Sequence, residues 1–265
     1  MHDALNKTGH SLYFSMCEWG VQDPATWAGP VGNSWRTTGD INPSWGSWTG
    51  ILDANDKWWQ YAGPGGWNDP DMIEVDNGQG KNKMTTEEYK AHFTMWCLIK
   101  APLLLGMDLR NITQTGLEII TNTELIAWNQ DTLGVQGHRV YQEKVESMET
   151  TAETLEESSN LRKRQLGSDF EQQRFFHPKE LNGGDGNIEV WAGNLDQGKV
   201  AVVLFNRATT AHSITAKWKD LGVPSGVAMK ARDVWLHKDV GTFAGNYTAM
   251  VEPHSVVAIE LEPAF

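Results

Sequence analysis

Short apolar runs and longer segments of helical periodicity alternate over about the first half of the chain. The apolar runs predict four strands, at residues 11–17, 33–37, 67–72 and 103–105. Helical spacing predicts three helices, at residues 41–61, 85–100 and 113–129. Thr85 and Glu88 form a capping box at the start of the second of these helices. The repeated order of strand, loop and helix is typical of parallel βα units.

The pattern changes to alternating apolar and polar residues near residue 188. Ile188 and Val190 show the alternation, and Val200, Val202 and Leu204 repeat it. Short strands of this kind, separated by Gly, Asn and Asp, predict an antiparallel β-sandwich.

A charged stretch separates the two patterns. It is rich in glutamate at first and then mixed in charge, with few core residues, so we predict a solvated insertion or linker. The predicted organisation is therefore a βα domain at 1–141, the insertion at 142–187 and a β-sandwich domain at 188–265.

Composition excludes several classes of protein. The net charge of −12 argues against a nucleic-acid partner, since phosphate binding needs a basic surface. No apolar run approaches the roughly 20 residues that a membrane span needs, so no membrane partner is expected. The histidines are scattered and no H-E-x-x-H motif occurs, which argues against a zinc site. The first five residues have neither the basic start nor the apolar centre of a signal peptide.

Carboxylates cluster just after the predicted strands of the βα part. They are Glu18, Asp40, Asp69, Asp71 and Asp108. In (β/α) barrels this edge of the sheet is the catalytic face. Glycoside hydrolysis needs two carboxyl groups, which lie ~5–5.5 Å apart in retaining enzymes and ~6.5–9.5 Å apart in inverting ones. The pattern alone fits a sugar-cleaving barrel, and it equally fits aspartates that cap helices.

Asp40 shows this ambiguity most clearly. It could act as a tuned acid or base beside Arg36, or it could cap a helix that begins near residue 41, with Arg36 as its salt partner. Tryptophan is abundant in the chain, with thirteen copies, and suits stacking on sugar rings. Trp19, Trp35 and Trp67 are the candidates for ligand contact because each lies beside charged or glycine-rich loop residues.

Five motifs, in this order along the chain, resemble the α-galactosidases of glycoside hydrolase family 27, in their plant and fungal branch. They are Cys17-Glu18-Trp19-Gly20, the stretch 32–38 (GNSWRTT), the decapeptide 63–72 (GPGGWNDPDM), the stretch 100–104 (KAPLL) and Asn129-Gln130-Asp131. The decapeptide is the most specific of the five. The resemblance covers residues 1 to about 141 and, more loosely, 187–265.

The resemblance implies a retaining glycosidase with a (β/α)₈ barrel and a C-terminal antiparallel β domain. Asp40 would be its general acid/base. The residues expected to bind or border the sugar are Cys17, Glu18, Trp19, Arg36, Asp71 and Met72. Glutamate at position 18 favours galactose over N-acetylgalactosamine. The implied substrates are galactose-containing oligosaccharides or glycoconjugates, the implied location is extracellular, and no metal or organic cofactor is expected.

The chain also departs from the family pattern. The family's nucleophile is the aspartate of a Lys-Tyr-Asp-Asn-Cys motif, which residues 1–265 do not contain. Residues 1–5 match the interior helix that precedes the fifth barrel strand. We therefore expect barrel strands five to eight followed by the β domain, and we expect the chain alone to be inactive. The alternatives are a non-catalytic galactose-binding remnant and a half-barrel that needs a separate N-terminal half.

Overall fold

The computed structural model describes residues 1–78, 83–145 and 186–264. Residues 146–185 of the predicted 142–187 insertion lie outside the described residues. In the described part the chain forms a small parallel sheet with helices behind it, followed by two antiparallel sheets. The predicted fold class, a partial barrel followed by a β-sandwich, is confirmed.

The parallel sheet has three strands, in the order β1-β2-β3. A short helix, α1 (His2–Asn6), precedes β1 (Ser15–Met16), β2 (Ser34–Arg36) and β3 (Trp67–Asp69). Met16 lies opposite Trp35, and Trp35 lies opposite Asn68, so the three strands end close to the same level.

The predicted fourth strand is reduced to a single parallel bridge between Ile73 and Leu105. Pro102 has no N–H to donate, and its carbonyl accepts a turn hydrogen bond from the N–H of Leu104 at 2.9 Å. The prediction of a strand over 103–105 is therefore wrong in extent, although Leu105 does pair with Ile73, in the segment that follows β3.

Four further helices pack in the same half of the chain: α2 (Trp45–Asp56), α3 (Thr86–Leu98), α4 (Gln114–Ile120) and α5 (Thr123–Asn129). The predicted capping box at the start of α3 is present, because Thr85 and Glu88 bond each other's backbone N–H. No helix within the described ranges is both long and apolar enough to cross a membrane.

The single helix predicted at 113–129 is wrong, because the structure has two helices there. The side-chain oxygen of Asn122 accepts hydrogen bonds from the N–H groups of Glu124 and Leu125, which starts a second helix. The amide nitrogen of Asn122 donates to the carbonyl of Val234, far away in the sequence.

The C-terminal strands form the predicted antiparallel sandwich. They are β4 (His138–Lys144), β5 (Asn187–Asn194), β6 (Val200–Asn206), β7 (His212–Lys217), β8 (Ala228–Asp233), β9 (Lys238–Ala244), β10 (Asn246–Val251) and β11 (Ser255–Pro263). A six-stranded sheet has the order β4-β5-β6-β11-β8-β9, and β10 pairs with β7 in a two-stranded sheet.

The six-stranded sheet is buried on both faces around β6. Val202 and Leu204 belong to the core between the two antiparallel sheets, whereas Ala201, Val203 and Phe205 pack with α2 and α3. All seven residues of β6 are buried, and the first six, Val200–Phe205, form a continuous apolar run. The β domain thus supports the helices that lie behind the parallel sheet.

Candidate active site

The loops that leave β1, β2 and β3 meet at the carboxyl edge of the parallel sheet. Several non-glycine residues in these loops have left-handed backbone, among them Trp19 at φ 58° and Asp71 at φ 78°. Such conformations cost free energy and cluster at functional sites. The loop after β1 passes so close to the carbonyl of Thr37 that a Cβ at Gly20 would clash with it. This edge is therefore tightly constrained.

Arg36 lies at the centre of the cluster. Its Nη2 is 2.8 Å from Asp71 Oδ2 and 3.2 Å from Asp40 Oδ1. The same nitrogen donates to the carbonyl of Gly39 at 2.8 Å, and Nη1 lies 3.9 Å from Cys17 Sγ. We call Arg36 and its partners Cys17, Asp40 and Asp71 the Arg36 cluster. One guanidinium thus joins residues from the exits of all three strands.

Asp71 is the principal partner of Arg36. Its side chain is only 12% exposed, whereas that of Asp40 is 79% exposed. Asp71 Oδ2 also accepts a hydrogen bond from the N–H of Ile41 at 2.9 Å, and its own N–H donates to Asp69 Oδ1. Charge-assisted bonds out of solvent are stronger than an exposed ion pair. Asp71 therefore fixes Arg36, and Asp40 remains open to solvent.

The helix-cap interpretation of Asp40 is wrong. The next helix, α2, starts at Trp45, its N-cap position is Ser44, and no side chain caps it. Asp40 lies in the loop before this helix, where its carboxylate contacts Arg36 and otherwise faces water. Its position suits contact with a ligand that approaches from solvent.

The other predicted site residues, Glu18, Trp19 and Met72, lie around the cluster and do not bond Arg36. The Glu18 carboxylate accepts hydrogen bonds from the N–H of Gln22, at 3.1 and 3.3 Å. Trp19 is 56% exposed and presents an open indole, and Met72 is partly exposed next to Asp71. Glu18 and Trp19 thus lie in the loop after β1 and Met72 lies in the loop after β3, all three beside the Arg36 cluster.

Trp35 does not lie at the surface, so its interpretation as a sugar contact is wrong. It is buried, its Nε1 donates to Asn68 Oδ1 at 2.8 Å, and its ring lies against Gly66, where a Cβ would clash with it. Trp35 is part of the core behind the site.

Sequence reasoning missed a buried set of side-chain amides behind the sheet. Asn55, Asn68 and Gln136 are each about 99% buried, and Gln136 hydrogen-bonds both of the asparagines. Asn55 also donates to Thr37, next to Arg36. The only signal in the sequence was an asparagine inside an apolar helical pattern, where such a residue is unfavourable unless its amide is bonded.

Burial governs the electrostatics at the floor of the site. Burial raises the pKa of Asp69, and this effect is opposed by the N–H of Asp71 and by the charge of Arg36. Burial also raises the pKa of Glu74, in the segment after β3. Across the described ranges, no group of three or more His, Cys, Asp or Glu side chains is arranged to hold a metal ion.

Two family models match the chain. Residues 1–131 match the model described as Alpha galactosidase A, and residues 185–261 match the Alpha galactosidase C-terminal beta sandwich domain. Alpha-galactosidase 2 of Arabidopsis thaliana is 44% identical over 255 residues, which cover 96% of this chain and 53% of that protein. The chain spans about half the length of the curated relatives it matches.

Solved structures agree with these matches. The crystal structure of α-galactosidase I from Mortierella vinacea superimposes with a TM-score of 0.76 at 29% identity, covering 98% of this chain and 61% of that chain. The Saccharomyces cerevisiae α-galactosidase, solved with raffinose, gives a TM-score of 0.80 at 23% identity, over 100% of this chain and 67% of that chain. The second likeness, at this low identity, concerns the fold alone.

Proposed function

The chain belongs to the α-galactosidase family, and on this premise we propose that the Arg36 cluster is the acid/base side of a retaining α-galactosidase site. The family resemblance indicated by the five motifs is confirmed by the matches to relatives that are named α-galactosidases. The proposed reaction releases terminal, non-reducing α-D-galactose from oligosaccharides or glycoconjugates.

Asp40 is the proposed general acid/base. The observation that carries the proposal is that its carboxyl group is 79% exposed, and hence within reach of a substrate, while it contacts the Arg36 guanidinium at 3.2 Å. As an acid, Asp40 protonates the departing glycosidic oxygen. The guanidinium then stabilises the resulting carboxylate, which takes a proton from the attacking water.

Galactose is proposed to lie between the exits of β1 and β3. Arg36 binds at its 2-hydroxyl side together with Cys17 and Glu18, while the open face of Trp19 is available for stacking. Asp71 and Met72 form the edge of this pocket. The carboxylate of Glu18 occupies the space that an acetamido group would need, which favours galactose over N-acetylgalactosamine.

The second carboxyl group of the reaction is proposed to come from outside residues 1–265. A retaining mechanism needs a nucleophile ~5–5.5 Å from the acid/base. Asp71 shares Arg36 with Asp40, but it is already bound to Arg36 and to the N–H of Ile41. We infer that a polypeptide of these residues binds galactose without cleaving glycosides, and that turnover requires a partner segment with the nucleophile.

An extracellular location is part of the same proposal. Three N-x-S/T sequons occur, at Asn6, Asn111 and Asn246, and all three asparagines are exposed. A folded surface could therefore carry a glycan at any of them. Expression in a secretory eukaryotic host, followed by glycosidase treatment and mass measurement, would test whether they are used.

A turnover assay tests the catalytic part of the proposal. We expect purified 1–265 to release no chromophore from an aryl α-galactoside, because the covalent step has no nucleophile. Turnover that disappears in Asp40→Asn would overturn this expectation and would imply a substitute nucleophile. Addition of a family N-terminal half that carries the nucleophile should restore turnover for the wild type and not for Asp40→Asn.

A binding assay tests the sugar site separately. Galactose should raise the melting temperature of the chain, since a ligand that binds only the native state stabilises it. Arg36→Ala should abolish the rise, whereas the control Arg110→Ala should retain it, because Arg110 is exposed and pairs with Asp108. No rise with the wild type at tens of millimolar galactose would refute the sugar site.

A further inference from the structure

The buried amides behind the parallel sheet form a connected set that the proposed reaction does not use. Asn68 Oδ1 accepts from Trp35 Nε1 at 2.8 Å, and its Nδ2 donates to Gln136 Oε1 at 2.9 Å. Gln136 Nε2 donates in turn to Asn55 Oδ1 at 2.9 Å. A buried polar atom without a partner is destabilising, so these bonds hold the side chains in one arrangement.

Asn55 connects this set to the Arg36 cluster. Its Nδ2 donates to Thr37 Oγ1 at 2.8 Å, so both ends of its amide are used. Thr37 directly follows Arg36, and its N–H and hydroxyl both bond the carbonyl of Asp69 at the end of β3, at 3.0 and 3.3 Å. Asn55 therefore helps to determine where the chain leaves β2, and hence where the guanidinium of Arg36 points.

The helix that carries Asn55 is held by the β domain. Asp53, two residues earlier on α2, accepts two hydrogen bonds at 2.9 Å from the guanidinium of Arg207, which follows β6. Phe205 stacks on Trp48 in the same helix, with ring centroids 5.7 Å apart. Side chains from the β domain thus hold α2 in place.

We propose that Asn55 is a positioning residue for the Arg36 cluster, through which the β domain sets the direction of Arg36. Asn55 acts on the end of β2 through its hydrogen bond to Thr37. Because α2 is held by the β domain, the position of Asn55 is itself fixed. The inference rests on the proposed function for what the cluster binds, and on the hydrogen bonds alone for how the cluster is held.

Cys17 supplies a readout that does not depend on substrate. Its thiol is exposed and lies 3.9 Å from Arg36 Nη1, while Cys97, the other cysteine of the chain, is fully buried. The positive charge of a guanidinium beside the thiol attracts an anionic thiol reagent. The rate at which such a reagent modifies Cys17 therefore reports the position of Arg36, and modification of Cys97 reports unfolding.

The experiment compares two variants with a matched control. Asn55→Ala removes the amide, and Thr37→Val removes its acceptor while keeping the shape of the side chain. Asn129→Ala is the control, because Asn129 is also buried and its amide donates to Ala101, away from the cluster. The rate of Cys17 modification by the disulfide of 5-thio-2-nitrobenzoate is measured on the intact chain, together with the melting temperature and the galactose affinity.

We expect both test variants to slow the modification of Cys17 several-fold without exposing Cys97. We expect the control Asn129→Ala to leave this rate unchanged, although it lowers the melting temperature by a similar amount. A rate in Thr37→Val that is unchanged, raised or equal to that of the control would overturn the positioning role, even if Asn55→Ala fails to fold. A slowed rate in a chain that never binds galactose would support the positioning role and refute the proposed sugar site.

Discussion

At the scale of single residues, sequence neighbours are not the strongest partners in this site. Arg36 and Asp40 lie four residues apart, but the pair is open to water and is weak for that reason. Asp71 lies 35 residues further along than Arg36 and forms the buried pair at 2.8 Å. The site therefore combines a fixed cation with a carboxylate that is left free to contact a ligand.

This difference predicts unequal effects of two similar substitutions. Asp71→Ala should lower the free energy of unfolding by about 3–5 kcal/mol, because it leaves the largely buried Arg36 without its main counter-charge. Asp40→Ala should cost no more than about 1 kcal/mol. Urea denaturation at neutral pH measures both, with Asp108→Ala as the control for an exposed pair. Equal losses at positions 40 and 71 would show that the Asp71 pair is not dominant.

The motifs in the sequence identified the candidate residues but not their orientation. Successive side chains in a strand point to opposite faces, so Trp35 and Arg36 cannot both reach the site. Arg36 lies in the cluster, and Trp35 is buried on the other side. The pairing with Asp71 was not predictable either, since it depends on a left-handed backbone at Asp71.

At the scale of secondary structure elements, local signals predicted well and distant contacts were missed. The capping box before α3 depends only on residues that are close in sequence, and it was predicted from them. The break between α4 and α5 was missed, and there Asn122 also bonds Val234 in the β domain. The domain division at 1–141, 142–187 and 188–265 stays a prediction, and the pairing of β4 with β5 favours placing the first boundary before His138.

The end of α2 carries an aspartate whose titration should be visible in the stability of the fold. Burial raises the pKa of Asp56 to about 6, although the N–H and the charge of Arg139 oppose this effect. Because the folded state holds this proton more tightly than the unfolded state, the stability it contributes is full below about pH 4 and is lost as pH rises through 6.

Asp56→Asn should remove this pH dependence. In the wild type, Asp56 Oδ1 accepts a hydrogen bond from the N–H of Arg139 at 3.1 Å. The asparagine keeps an oxygen that can accept this bond but carries no buried charge. It should match the wild type near pH 4 and exceed it by up to about 3 kcal/mol at pH 7. Urea denaturation across this range measures the difference, with the exposed Asp239→Asn as control. Parallel pH curves for wild type and Asp56→Asn would contradict the raised pKa.

At the scale of the whole molecule, buried charges connect the βα part to the β domain. Arg207 lies between Asp53 of α2 and Glu189 of β5, and its Nη2 is 3.1 Å from Glu189 Oε2. Arg139 contacts the same two carboxylates, at 2.9 and 3.1 Å. The side chain of Glu189 is completely buried, so its charge depends on these two guanidinium groups. Since the same sheet also contributes to both hydrophobic cores, we expect the two parts to unfold together.

Arg207→Ala should therefore destabilise the whole molecule by about 3–5 kcal/mol, because it leaves the buried carboxylate of Glu189 under-compensated. If charge is the cause, the double variant Arg207→Ala/Glu189→Gln should recover part of this loss. A double-mutant cycle by urea denaturation measures the coupling. Lys199→Ala, which breaks a partly exposed pair with Glu260, should cost about 1 kcal/mol or less. Arg207 Cζ also lies 4.9 Å from the ring centroid of Phe205. If the double variant is no more stable than Arg207→Ala alone, the loss comes from this packing and not from charge.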